Sequence, residues 1–360
     1  MKRICNHEMH PLHCIIPPYM LDKLIKNKDT KLATLSLHTK IDTEIRRQKR
    51  NMIAALSNKE LSLLRSGQPK ASTTATAKIE IYDAKHTQAN PGTKIPNPTT
   101  STDADAKRAY SACKATWSLY YDIFNRNSID NAGMTLVNTI HFDKKYNNAF
   151  WDGTHMTYGD GDGKIFSSFT KDIDIIGHEL THGVTESAGG LDYEFQPGAL
   201  NESFSDVFGI LVKQYALNQD VKKSNWLIGE NVVIGKQYAL RSMKAPGTAY
   251  KNHPFLGNDP QPAVMKDFVK LPATDDHGGV HLNSGIPNFA FYVTAFNIGG
   301  NAWEKAGKIW YKALLNKTLL PPKSKFVNAK QATLESAKSL YGNGSLEYKA
   351  VKDGWSAAGV

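Results

Sequence analysis

The chain has 360 residues, a formal net charge of +10 and three cysteines. That length suffices for two domains and an extension with a large core, and no stretch approaches the roughly eighteen consecutive apolar residues of a transmembrane helix. Cys5, Cys14 and Cys113 leave the main body with a single thiol, which excludes a disulfide framework there.

Charge is unevenly placed: residues 1–50 carry 11 Lys or Arg against 5 Asp or Glu, which leaves 33 against 29 for the rest. No interleaved aromatic and basic repeat or zinc-finger spacing accompanies this excess, so nucleic-acid binding is not expected. The N-terminus is positive, but Pro11, Pro17, Pro18 and Asp22 follow it in place of an apolar core, so no conventional signal peptide is evident. The expected location is secreted or exported, with cytoplasmic accumulation left open.

Residues 1–60 read as a separate unit. Met20, Leu21, Leu24 and Ile25 share one side of a helix after Pro17-Pro18-Tyr19, and a second helical pattern runs through Ile41, Ile45 and Arg46. The run Arg46-Arg47-Gln48-Lys49-Arg50 and the polar stretch Ser66 to Thr76 suit proteolytic nicking. From Ala77 the texture changes. Ile79 and Ile81 alternate with polar neighbours as in a half-buried strand, residues 104–125 read as a helix rich in aromatic bulk, and Met134 to Phe142 reads as a strand. The Gly- and Asp-rich run 156–163 lacks the full calcium-loop pattern and reads as a turn.

Asp172 to Glu186 is the stretch around which the rest is organised. Ile173, Ile176, Leu180 and Val184 form a helical stripe, and His178 and His182 lie one turn apart on another face. Two imidazoles so spaced can share one cation, and Glu179 then sits beside a metal-bound water as a base. Gly189-Gly190 ends this helix. Helices follow at 202–217, 287–297, 302–315 and 328–341, with a Pro-rich loop at 254–275.

A catalytic zinc takes three protein ligands. Glu202, at the expected start of the next helix, is the natural third. Asp206 one turn on could fix the tautomer of one histidine, and Asn201 that of the other.

His178-Glu179-Leu180-Thr181-His182, Asn201-Glu202 with Asp206, Asn148-Ala149-Phe150-Trp151, Arg241-Ser242-Met243 and Asp276 to Gly285 occur in this order, and together they resemble the signature blocks of thermolysin-like metalloendopeptidases. The resemblance implies an α+β, two-domain fold: a strand-rich N-terminal domain over 61–187, a mainly helical one over 188–360, and the zinc-binding helix between them. It implies one zinc on His178, His182 and Glu202, with Glu179 passing a proton from water to the leaving amine. Tyr193 and His281 would donate to the oxyanion, Asp276 would orient His281, and Asn148, Ala149, Trp151 and Arg241 would hold an extended peptide. The implied activity is cleavage before bulky apolar residues by a monomer.

At the positions where relatives carry a double calcium site, the chain has Lys213, Asn225 and Leu227, with Glu230 remaining, so that site is expected to be absent. His13-Cys14-Ile15-Ile16-Pro17-Pro18-Tyr19 resembles the short prosegment of the protealysin group. That implies an autoinhibitory propeptide over 1–60, with Pro17, Pro18 and Tyr19 plugging the primed subsites as a rigid extended segment. Cys14 as a direct zinc ligand is the rival arrangement.

Overall fold

The computed structural model describes residues 12–54 and 75–360, without the side chains of 51–54. Six strands, β1 (His13–Cys14), β2 (Ile79–Asp83), β3 (Thr93–Ile95), β4 (Leu136–Ile140), β5 (Ala149–Trp151) and β6 (His155–Tyr158), form one mixed sheet in the order β1-β5-β6-β4-β2-β3. β2, β4 and β6 are parallel, and β1, β3 and β5 lie antiparallel to their neighbours. The crossover from β2 to β4 includes α3 (Ala104–Ser118), whose Asp103 cap accepts from the N–H groups of Asp105 and Ala106. The expected helix to residue 125 instead ends in a π turn at Leu119–Ile123, where Trp117 and Tyr121 stack with ring centroids 4.6 Å apart. The Gly- and Asp-rich run is a turn: Asp162 Oδ1 accepts from the N–H groups of Lys164, Ile165 and Phe166.

Two helices were expected in the N-terminal extension, and α1 (Pro18–Ile25) and α2 (Thr30–Ala54) are present. The strand before them was not expected. β1 extends the sheet beyond β5, with His13 opposite Trp151 and Cys14 opposite Phe150. The expected boundary at residue 60 lies outside the described residues.

Behind the sheet lies α4 (Ile173–Ser187), with Asp174 to Thr185 buried on every side. Against it packs α5 (Phe195–Leu217). The sequence placed the start of this helix at Glu202, but it begins two turns earlier, after the extended Glu194, with Pro197 tolerated in the first turn. Glu202 is therefore an interior helical residue and not a carboxylate at a helix N-terminus. Gly177 and Gly209 face each other across the two helices: a Cβ on Gly209 would lie 2.5 Å from Asp174 O and 3.2 Å from His178 N. This close approach brings the polar face of α5 up to the histidines.

The second domain continues with the β7–β8 pair (Leu227–Ile228 and Arg241–Ser242), α6 (Asp276–Asn283), α7 (Gly285–Ile298), α8 (Ala306–Leu314), α9 (Phe326–Tyr341) and α10 (Leu346–Ala357). The β7–β8 pair, α6 and α10 were not expected; α10 packs on α7 with Val351 and Trp355 buried. The architecture is thus α+β in two domains with α4 between them.

Candidate metal centre and active-site cleft

α4 places His178 and His182 on one face with their Nε2 atoms 3.0 Å apart. Each ring is oriented from α5: His178 Nδ1 lies 2.9 Å from Asp206 Oδ1, and His182 Nδ1 lies 2.8 Å from Asn201 Oδ1. An Nδ1–H donated to these acceptors leaves the Nε2 lone pair free to point inward. Glu202 completes the triangle, with Oε2 3.4 Å from His178 Nε2 and Oε1 3.5 Å from His182 Nε2. Glu202 Oε2 is buried without a hydrogen-bond partner among the described residues.

Three converging acceptors at these separations match the ~3.3 Å edges of a tetrahedral ion with N and O bonds of about 2.0–2.1 Å. The electrostatics agree. Burial lowers the pKa of His178, but Asp206 and Glu202 outweigh it and raise the value to about 9. Burial, with His13 next, pushes His182 well below its usual value. Burial opposes the charge on Glu202, yet His281, His182 and His178 hold its carboxyl well below the usual range. Asp206 and Glu202 supply the negative charge that a cation here would meet, a neutral His182 keeps a lone pair for it, and the donor set fits zinc.

Glu179 is fully buried, and burial above all pushes its carboxyl well up. Its Oε2 accepts from Trp151 N–H at 3.1 Å, while Oε1 has no partner among the described residues. Across the cleft, the Tyr193 hydroxyl donates to Glu202 and lies 3.3 Å from His281 Nε2. Asp276 grips His281 twice, at Nδ1 and at the backbone N–H. Burial lowers the pKa of His281, but Glu202 and Asp276 raise it to a net upward shift. The turn that presents this histidine runs through four left-handed residues, Asp276 to Gly279. Gly278 is required there because a Cβ would lie 2.3 Å from the Phe195 ring; crowding within the domain, not approach to a substrate, explains the glycine.

Arg241 joins the two sides. Its Nε and Nη2 each donate to Asp206 at 2.8 Å, and Nη1 donates to Ile15 O at 3.2 Å. Asp206 also accepts from Asn288 Nδ2 at 2.8 Å. One carboxylate thereby fixes a histidine, an arginine and an asparagine.

Residues 13–16 lie along the cleft. Ile15 N–H donates to Ala149 O at 3.2 Å, Ile16 N–H to Asn148 Oδ1 at 3.0 Å, and His281 Nε2 lies 3.2 Å from Cys14 O. Two expectations change here. Pro17 is extended, but Pro18 and Tyr19 already belong to α1, so the tandem prolines form no extended plug; the extended segment is His13 to Ile16. Cys14 is not positioned as a zinc ligand. Strand alternation turns its thiol into an apolar cluster with Leu12, Phe142, Tyr146 and Phe150, and burial pushes the thiol well above its usual range.

The sequence reading missed His13. Its ring stacks on His182 at 3.9 Å with the planes 8° apart, and meets Tyr193 edge-on at 4.5 Å. Its nitrogen comes near His182 and Glu202. Imidazole lone pairs lie in the ring plane, and two parallel planes share no point, so His13 and His182 in this pose cannot ligate one ion. Arg50 and Glu186 were also missed. Their contacts cross more than a hundred positions and leave no local pattern.

A triangle of two histidines and a glutamate, with a buried carboxylate beside it and a peptide-holding strand edge, defines a metallopeptidase. Residues 48–186 match the catalytic domain of thermolysin metallopeptidases, and residues 189–360 match their alpha-helical domain. The chain belongs to the thermolysin metallopeptidase family, whose members use zinc. It is 42% identical over 358 residues to Protease PrtS of Photorhabdus sp. (strain Az29), covering 96% of this chain and 91% of that protein. It is 39% identical over 359 residues to the extracellular metalloprotease of Pectobacterium carotovorum subsp. carotovorum, covering 97% of each. Among solved structures, the precursor of protealysin from Serratia proteamaculans superposes with a TM-score of 0.84 at 42% identity, covering 97% of this chain and 99% of that one.

Proposed function

We propose that this metalloprotease is a zinc endopeptidase made as a latent precursor, with residues 1–60 as the inhibitory segment. The observation that carries the reading is the register of residues 13–16. The Cys14 carbonyl meets His281 and the Ile15 carbonyl meets Arg241, so the Cys14–Ile15 amide lies where a substrate's reacting bond would lie.

His178, His182 and Glu202 would hold the zinc, which when bound polarises the substrate carbonyl and acidifies water. Glu179 takes the proton of that water and delivers it to the leaving amine; a buried carboxyl of raised pKa is suited to both steps. Tyr193 and His281 donate to the oxygen that becomes negative, worth on the order of 3 kcal/mol each. Asp276 keeps the His281 ring aimed at that oxygen, and Asn201 and Asp206 do the same for the ligand histidines. Asn148, Ala149 and Arg241 hold the backbone after the cleaved bond, and Trp151 the backbone before it. Ile15 and Ile16 are fully buried on the leaving-group side, which supports a preference for bulky apolar residues there.

We assign zinc as the only metal. Where relatives would place calcium, the Lys213 ammonium lies 3.1 Å from Asp174 Oδ2 and from Leu227 O, and also reaches Glu230, so one lysine fills the cation's place. One chain supplies every wall of the cleft, consistent with a monomer acting on peptides. Export is supported by the name of the Pectobacterium relative, and no helix among the described residues is long and apolar enough to cross a membrane.

The test is hydrolysis of a peptide with Ile after the scissile bond. Glu179→Gln is expected to lower kcat about a thousandfold, chelation to abolish turnover, and zinc to restore it. Activity surviving Glu179→Gln would sink the mechanism. Unchanged activity on removing residues 1–60 would sink the latency.

A further inference from the structure

Resting on the endopeptidase reading, the register of residues 13–16 also fixes the neighbouring positions. If the Cys14 carbonyl stands at the reacting bond, His13 occupies the second residue before that bond. His13 meets three groups there: the face of His182, the edge of Tyr193, and the Glu186 carboxylate, whose Oε1 is 3.6 Å from His13 Nε2.

Glu186 stands on α4 one turn beyond His182, as His182 stands one turn beyond His178. The three side chains therefore form a row along one face of the helix. A peptide whose reacting carbonyl is at the histidines, and whose N-terminal part runs toward the C-terminal end of α4, passes Glu186 with its second residue. In the precursor this carboxylate is met by a cation from the same chain. Arg50 on α2 donates through Nη2 to Glu186 and through Nη1 to Trp151 O at 2.9 Å. That carbonyl belongs to the β5 residue paired with His13. The Arg50 side chain is 8% exposed, and its guanidinium passes over Gly153, where a Cβ would lie 3.1 Å from Nη2. Arg50 and His13 both belong to the segment that must leave before a substrate enters. Their departure removes two of the groups that meet this carboxylate, at the position of the second substrate residue and in surroundings that already accommodate a guanidinium.

We propose that Glu186 is a specificity determinant of the active enzyme, selecting substrates with Arg or Lys two residues before the cleaved bond, and that Arg50 satisfies the same carboxylate in the precursor. An imidazole at that position reaches to 3.6 Å of Oε1, so the longer Arg and Lys side chains can bring their charge onto it. The ring of His182 and the edge of Tyr193 flank the methylene stem. The flat face of an arginine can rest on the imidazole in the way His13 does, which favours Arg over Lys.

The experiment uses the full chain after it has processed itself. It compares kcat/KM on a peptide series with Ile after the cleaved bond and Arg, Lys, Gln or Glu two residues before it. Wild type is expected to prefer Arg over Gln about tenfold, the size of one charged hydrogen bond, with Glu the poorest. Salt of about 1 M should shrink the ratio, since the carboxylate is partly exposed. Glu186→Gln should bring the ratio close to one, and Glu186→Lys should invert it in favour of Glu. A wild-type ratio within twofold, or a preference that persists in Glu186→Gln, overturns the proposal even if processing of one variant fails. Cleavage of no peptide by wild type, with Glu179→Gln no different, overturns the endopeptidase reading and this proposal with it.

Discussion

His141 shows how a single residue can tie the molecule's stability to pH. Its Nδ1 lies 2.8 Å from Asp160 Oδ1 and its Nε2 lies 2.8 Å from Asp103 Oδ2, so both ring nitrogens face carboxylates. The Asp160 hydrogen bond leads in raising its pKa to about 9, with burial opposing. The folded value lies above the ordinary 6.5, so the stabilisation is fully present below pH 6.5 and is lost as pH rises through about 9. Thermal melts should fall across that window by about 1–2 kcal/mol of stability after allowance for partial exposure, and His141→Gln should flatten the fall. An identical pH profile in His141→Gln would refute this. At this scale the sequence was readable where spacing is local: four residues of helix put His178 and His182 on one face regardless of the rest of the fold. Glu202 and Asp206 were readable for the same reason once a second helix was assumed. His13, Arg50 and Glu186 were not, because each is brought to the cleft only by a partner far along the chain.

Elements explain why the readable residues converge. α4 and α5 carry His178, Glu179, His182, Asn201, Glu202 and Asp206 around the metal pocket, and their spacing is set by Gly177 and Gly209. Gly209→Ala places a Cβ 2.5 Å from Asp174 O, which is backbone and cannot rotate away. The helices must separate, at a cost of about 1–3 kcal/mol for an overpacked core. The separation should also withdraw Glu202 and Asp206 from the histidines, so that zinc affinity, read by chelator competition, falls along with the melting temperature. A loss of stability with unchanged zinc affinity would show that the helix spacing does not position the ligands. Element boundaries were harder to read than element types. The early start of α5 was hidden by Pro197, which reads as a breaker yet is harmless in a first helical turn. β1 was hidden because His13-Cys14 has no strand pattern of its own and exists only by pairing with the edge at Trp151 and Phe150.

At the scale of the whole molecule, the proposed latency makes the N-terminal segment a tethered ligand of the cleft. It is fastened at several separated points: Asp29 to Lys164, Lys23 Nζ to Leu256 O at 2.8 Å, Arg46 over the Phe142 ring at 4.4 Å, and Arg50 at the non-primed end. Ile15, Ile16, Met20, Leu21 and Leu24 are buried beneath these contacts, so the segment carries an apolar stripe as well as the strand in the cleft. A covalent tether makes this association intramolecular, with an effective concentration on the order of millimolar. Latency of the uncut chain should then be independent of dilution. Cutting at an engineered protease site between residues 55 and 74 makes the same contacts bimolecular, and the apolar burial opposes release only through a finite Kd. Specific activity on a peptide substrate should therefore rise as the cut enzyme is diluted from micromolar to nanomolar, while the uncut chain stays flat. If the cut enzyme is fully active at every concentration, the tether holds the segment and its contacts contribute little. If it stays latent at every dilution, the segment must be degraded and not merely released, and activation would require a second cut within the strand His13 to Ile16.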